Sequence, residues 1–291
     1  MFEQLRKGTP SHRKISPKTE TQFRIPNPSP SSSRISNEYH PDYRSSSAGL
    51  TSTLLDAFPD ELASATDAPF LRAAGAGKVS KHDLSRWLSQ DRLYAETYIS
   101  FISSLISRVT LPYDFVADKS KSLRWRIINL LNSALQNILR EVEFFTETAK
   151  EYDLSLQEPY GPDEPEFLPV AATEAYITLL QSFAQEPQQN LLEGLVVLWA
   201  TEMCYLKAWT NAAQYQPTDS HAASDADGGA LRKAFIPNWT SDEFGEFVNS
   251  ITQTTDALAE REGAMKKVEV YKALFLHVLD IEKKFWPTVE S

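Results

Sequence analysis

The sequence predicts an all-α protein, and three observations carry that prediction. From Leu50 onward, apolar residues recur at spacings of three and four in segment after segment, the period of a helix with one buried face. No run alternates apolar and polar residues long enough to form a strand. Breakers fall between the periodic segments: Leu111-Pro112, EPYGPDEPEFLP at 158–169 and DADGG at 225–229.

Helices are expected at about 50–65, 67–76, 80–109, 120–151, 168–186, 188–214, 240–260 and 262–287. Ser80, Ser120 and Ser241 with Asp242 stand where N-caps belong, since their side-chain oxygens can accept from unpaired first-turn amides. Residues 1–47 are rich in Ser, Pro and charge, with PNPSPSSS at 26–33, and read as a disordered tail. Residues 48–291 then form one helical domain with a Pro-rich insertion at about 156–169.

Composition narrows the function. The net charge is −10, and residues 1–47 hold eight Lys/Arg against four Asp/Glu, leaving −14 for the remainder. So acidic a body argues against nucleic acid as a partner. No apolar run approaches the length of a membrane span, and the opening residues carry no signal-peptide apolar core. Four acids and no amphipathic period in the tail count against a transit peptide. The single cysteine, Cys204, allows no internal disulfide and suits a reducing, cytoplasmic setting.

The informative feature is carboxylates set into apolar stripes. In WLSQDRLYAETY, Trp87, Asp91, Tyr94 and Tyr98 fall at i, i+4, i+7 and i+11, on one helix face. Leu195, Leu198, Glu202, Tyr205 and Trp209 share a face in the same way. So do Tyr271, Phe275, Val278, Glu282 and Phe285, and so do Ile127, Leu131, Ala134, Ile138, Glu141 and Phe145. A single such acid is most simply a stripe-edge residue that reaches water or a basic partner. Four of them, mixed with Tyr and Trp, point to a polar pocket inside a helical bundle.

Other chemistry is scarce. There is no P-loop, dinucleotide-binding glycine motif, nucleophile elbow, zinc-ligand spacing or Glu-x-x-His. Of five histidines, His12 and His40 lie in the tail, His221 in a loop, His82 at a helix start, and His277 off the Glu282 stripe. No metal and no cofactor are therefore expected. Cys204 sits about 100° around its helix from Tyr205 and reads as a packing residue.

These residues carry a resemblance. PFLRAAGAGKVSKHDLSRWLSQDRLY, Pro69 to Tyr94, resembles the opening of the TenA (thiaminase II) and PqqC group, with its QD..Y motif. IEKKFW, Ile281 to Trp286, resembles the group's closing E..FW. Between them EVEFFTETAKEYDL (141–154), AYITLLQSFAQ (175–185) and LLEGLVVLWATEMCYLKAW (191–209) follow in the family's order. The resemblance implies a haem-oxygenase-like multihelical bundle. It also implies a homo-oligomer, dimer or tetramer, and a hydrolase of aminopyrimidines or related small nitrogen heterocycles, in thiamin salvage.

Carried over residue by residue, the resemblance makes Asp91 the partner of the ring's amidine edge and Glu282 the acid/base group. Tyr94 becomes a pocket-lining hydroxyl, and Tyr205 matches the family's tyrosine one turn after its nucleophile; beside these carry-overs, Tyr98, Tyr176 and Glu141 are further substrate-binding candidates of this chain. Many family members have a nucleophilic Cys four residues before the tyrosine matched by Tyr205. Here that position is Thr201, and Glu202 is expected to serve in its place, as in a glutamate-using branch. The family's later tyrosine has no match either, since PNWTSDEF offers Trp239 and Phe244. Two alternatives stand beside the hydrolase: a non-catalytic ligand-binding or regulatory relative, and a PqqC-like or metal-dependent oxidase, for which histidines are short.

Overall fold

The chain is described here by a computed structural model, which describes residues 49–159, 166–185, 189–218 and 221–288. The expected tail, 1–47, and the middle of the Pro-rich insertion lie outside these residues. Among the described residues ten α-helices follow in order: α1 (Leu50–Ala57), α2 (Pro59–Thr66), α3 (Pro69–Gly75), α4 (Lys81–Ser107), α5 (Leu123–Tyr152), α6 (Ala171–Gln185), α7 (Leu191–Ala213), α8 (Ile236–Trp239), α9 (Asp242–Glu262) and α10 (Val268–Phe285). No strand occurs among the described residues, so the fold is the all-α bundle that the periodicity predicts.

Local chemistry sets the boundaries. The expected helix 50–65 is broken because the residue before a proline is pushed out of the helical region: Phe58 has φ −138° and Pro59 opens α2 at its first turn. Ser80 accepts from the Asp83 amide and Ser241 from the Phe244 amide, as expected of N-caps. Ser120 does not cap α5. Asp118 accepts from the Ser120 amide at the head of a 3₁₀ turn, 119–121, and α5 begins after Ser122. At α7, Asn190 and Glu193 form a reciprocal capping box. The expected helix 262–287 starts late, because Gly263 (φ 65°) ends α9 in the left-handed region and a 3₁₀ turn intervenes.

α7 is buried nearly all round and forms the hub of the bundle, packing against α2, α3, α9 and α10. α4 lies along α5 and α6, and α5 also meets α9. Residues 231–239, which fall between the expected helices, form a π-helical turn that runs into α8 against α7. Asp227 fixes this segment, its fully buried carboxylate accepting from the Gly229 and Leu231 amides at 2.8 and 2.7 Å. Trp87, Trp209, Trp239 and Trp286 pack into one aromatic block, with Trp209 and Trp239 stacked at 4.6 Å between centroids. Each such side chain contributes a few kcal/mol of burial, so this block is a rigid wall.

Candidate functional site

That wall bounds a small chamber. Asp91, Tyr94, Ala95 and Tyr98 come from α4; Ile138, Glu141 and Phe145 from α5; Thr201, Glu202 and Tyr205 from α7; Trp239 from α8; and Phe244 from α9. The chamber measures about 20 Å³, enough for about one water. Ile138, Glu141, Glu202, Trp239 and Phe244 also line an outer vestibule of about 230 Å³, completed by residues such as Asn137, Phe144, Asn238 and Phe247. These five shared residues form the neck between the two spaces.

The helical period delivers the acids inward as the sequence predicts. Asp91 is 1% exposed, and its Oδ1 accepts from the Tyr205 hydroxyl at 2.5 Å. Its Oδ2 is buried with no hydrogen-bond partner. Glu141 Oε1 accepts from Trp239 Nε1 at 2.6 Å. Tyr98 and Thr201 share a hydroxyl–hydroxyl bond of 2.9 Å, and the Thr201 hydroxyl also donates back to the carbonyls of its own helix. Glu202 stands at the neck, partly buried.

Glu282 is not part of the chamber lining. It lies one layer behind, 1% exposed, with Oε2 accepting from the Tyr176 hydroxyl and Oε1 unpartnered. Tyr94 separates it from the chamber, its ring packing on Tyr176 at 4.9 Å and on Tyr205 at 6.4 Å. Of the eight site residues expected from sequence, six line the chamber and two, Tyr176 and Glu282, form this rear pair.

Crowding acids into a poorly hydrated space favours their neutral forms. Burial raises Glu141 to about 7, opposed by the Trp239 N–H. Burial and then the charge of Glu141 raise Glu202 to about 8. Burial raises Glu282 to about 8, opposed by Tyr176. Burial holds Asp91 well above the usual carboxylate range, Glu141 and Glu282 add to this, and Tyr205 opposes it. The chamber lining contains no Lys, Arg or His. The arrangement can therefore accept hydrogen bonds, donate them from protonated carboxyls, and exchange protons near neutral pH.

Cys204 is fully buried outside the lining, its thiol pushed well up by burial and then by Glu282, as an inert packing residue would be. His82 is exposed beside Glu158, and His277 is exposed on α10. Among the described residues, no group of three or more His, Cys, Asp and Glu is placed to hold a metal ion.

Sequence reasoning did not assign Trp239 or Phe244 to the site. Trp239 ends a single helical turn, too short for a period to show which way a side chain faces, and Phe244 lies in the first turn of α9, where it was not singled out because that stripe carries no acid. The one available signal was a Trp following Pro-Asn just before the Ser241 cap.

An all-helical bundle with acids drawn from several helices into an internal chamber is a small-molecule site by class. The chain belongs to the TENA/THI-4/PQQC family, whose pattern matches residues 63–291. It is 32% identical over 237 residues to a "Probable transcription factor" of Fusarium pseudograminearum, covering 72% of this chain and 45% of that protein. The chain thus spans under half the length of that relative. It is 20% identical over 240 residues to a "Probable bifunctional TENA-E protein" of Glycine max, covering 82% of this chain and 92% of that one. Among solved structures, a TenA homologue from Pyrococcus furiosus superposes with a TM-score of 0.64 at 22% identity, covering 81% of this chain and 98% of its own. A TenA family transcription regulator from Silicibacter gives 0.62 at 15% identity, with 81% and 94% covered. These two likenesses show the fold. Among the described residues, no helix is long and apolar enough to cross a membrane.

Proposed function

We propose that residues 48–291 form a TenA-like hydrolase that cleaves a C–N bond of an aminopyrimidine or a related small nitrogen heterocycle. The observation that carries this reading is a chamber walled by Asp91, Glu141 and Glu202, backed by Glu282, with no basic side chain in its lining. Such a space favours a ligand that brings N–H donors or positive charge, and an amidine-like ring edge brings both. Asp91, with one oxygen fixed by Tyr205 and the other unpartnered, is the group that faces that edge.

Glu202 takes a proton from water as the water oxygen bonds to the ring-bearing carbon, and the amine departs carrying a proton. A carboxyl raised to about 8 both takes and returns protons near neutral pH. Glu282, one layer behind, serves the same proton traffic through Tyr94 and Tyr176. With Thr201 bonded to Tyr98 and to its own helix, no hydroxyl nucleophile is required. The reading keeps the family-implied expectations of a homo-oligomer, which light scattering would measure, and of a cytoplasmic place.

The test is ammonia release from a panel of aminopyrimidines. Native protein is expected to release it, with Asp91→Asn and Glu202→Gln each reducing the rate by about 100-fold or more, the usual weight of a positioned acid or base. Turnover unchanged in both variants would refute these roles. A second reading, a regulatory ligand binder, is favoured by the 32%-identical "Probable transcription factor". It predicts binding of the same ring without release of ammonia.

A further inference from the structure

The chamber, as folded, holds about one water, while the vestibule outside is roughly ten times larger. A ring-sized ligand therefore cannot occupy the inner space unless the neck widens. The two halves of the neck differ in freedom. Trp239 is 2% exposed and packed against Trp209, Phe235, Trp87, Tyr205 and Phe145, with centroids from 4.6 to 6.2 Å away. Moving it would break several ring contacts at once. Glu141 is only partly buried, lines both spaces, and is bound on the far side by a single hydrogen bond, to Trp239 Nε1.

We propose that Glu141 is the gate of the inner chamber, closed by its hydrogen bond to a fixed Trp239 and opened when its side chain turns into the vestibule to admit a ring. Glu141 thereby sets both access and specificity. The opened neck leaves Trp239 Nε1 as a rigid donor at the chamber mouth, and a ligand acceptor that satisfies it holds the gate open. Phe244, half-buried at the first turn of α9, is the neck residue beside it that can give way. The proposal deepens the heterocycle reading but is also testable without any ligand.

The experiment follows the Trp239 indole proton by ¹⁵N-edited NMR of tryptophan-labelled protein, assigned with Trp239→Phe. In parallel, stopped-flow fluorescence measures association of 2-methyl-4-aminopyrimidine. Glu141→Ala is expected to speed indole exchange and probe association by about tenfold, the weight of one hydrogen bond. Glu141→Gln keeps an acceptor oxygen for Trp239, so its indole exchange stays within about twofold of native by the same reasoning. Glu141→Asp, one methylene too short to reach Trp239, follows Ala and serves if Ala does not fold. Exchange in Ala and Asp within about twofold of native overturns the gate, as does Gln behaving like Ala. Faster exchange without probe binding to any variant leaves the gate standing and counts against the aminopyrimidine reading.

Discussion

Replacing Glu282 by Gln should make the protein more stable in alkali, which is unusual for a substitution in a core. Glu282 is 1% exposed, and its carboxyl is raised from 4.5 to about 8. The folded state therefore keeps a proton that the unfolded chain has lost, across the window from about pH 4.5 to about 8. Within that window the folded state binds more protons, so stability must fall as pH rises. A shift of this size corresponds to about 4–5 kcal/mol, as an upper order of magnitude at about 1.4 kcal/mol per unit.

Gln cannot titrate, and its amide oxygen can still accept from Tyr176. It leaves one buried polar atom unpartnered, as Glu282 Oε1 already is, so the two side chains start nearly level in acid. Urea unfolding of both proteins at several pH values from 4.5 to 9 measures the difference. The variant is expected to match native within about 1 kcal/mol at the acid end and to exceed it by several kcal/mol above pH 8. Parallel stability curves would show that Glu282 does not titrate as a buried acid, and the electrostatic account of the site would fail with it.

Three further outcomes follow from single contacts. Tyr205→Phe removes the donor to Asp91 Oδ1, leaves that carboxyl with no partner, and should cost about 1–3 kcal/mol, read by urea unfolding at pH 7. Gly75→Ala places a methyl 1.9 Å from the Ala212 carbonyl oxygen where α3 meets α7. Backbone must shift, and a loss of about 3 kcal/mol or more is expected in the same assay. Asp227→Ala orphans the Gly229 and Leu231 amides and should cost about 2–4 kcal/mol. Because this segment leads into α8, the variant should also disturb the Trp239 indole resonance.

The bundle was legible in the sequence because α4, α5, α7 and α10 are long enough for the 3.6-residue period to show itself. The same period placed Asp91, Glu141, Glu202 and Glu282 on inward faces, and those faces do turn inward. Depth was not legible. Periodicity gives the direction of a side chain but not the layer at which it stops, so Glu282 and Tyr176 could not be separated from the chamber that Tyr94 screens from them. Nor could Trp239 be assigned, because residues 231–239 are a π-turn and a single helical turn, held by Asp227 through contacts that leave no repeating pattern. The break before Pro59 is what the proline rule dictates for Phe58, and the expected helix 50–65 ran through it.

The central claim is that Asp91 presents its unpartnered oxygen to the donor edge of a nitrogen heterocycle inside the acid-lined chamber. Calorimetric titration of 2-methyl-4-aminopyrimidine into native protein and Asp91→Asn at pH 7 tests it most directly. Saturable binding to native protein, weakened about tenfold in the variant, the weight of one hydrogen bond to the ring's donor edge, is the expected result. Equal heats and affinities in the two proteins, or no saturable heat from native protein at millimolar ligand, would contradict it.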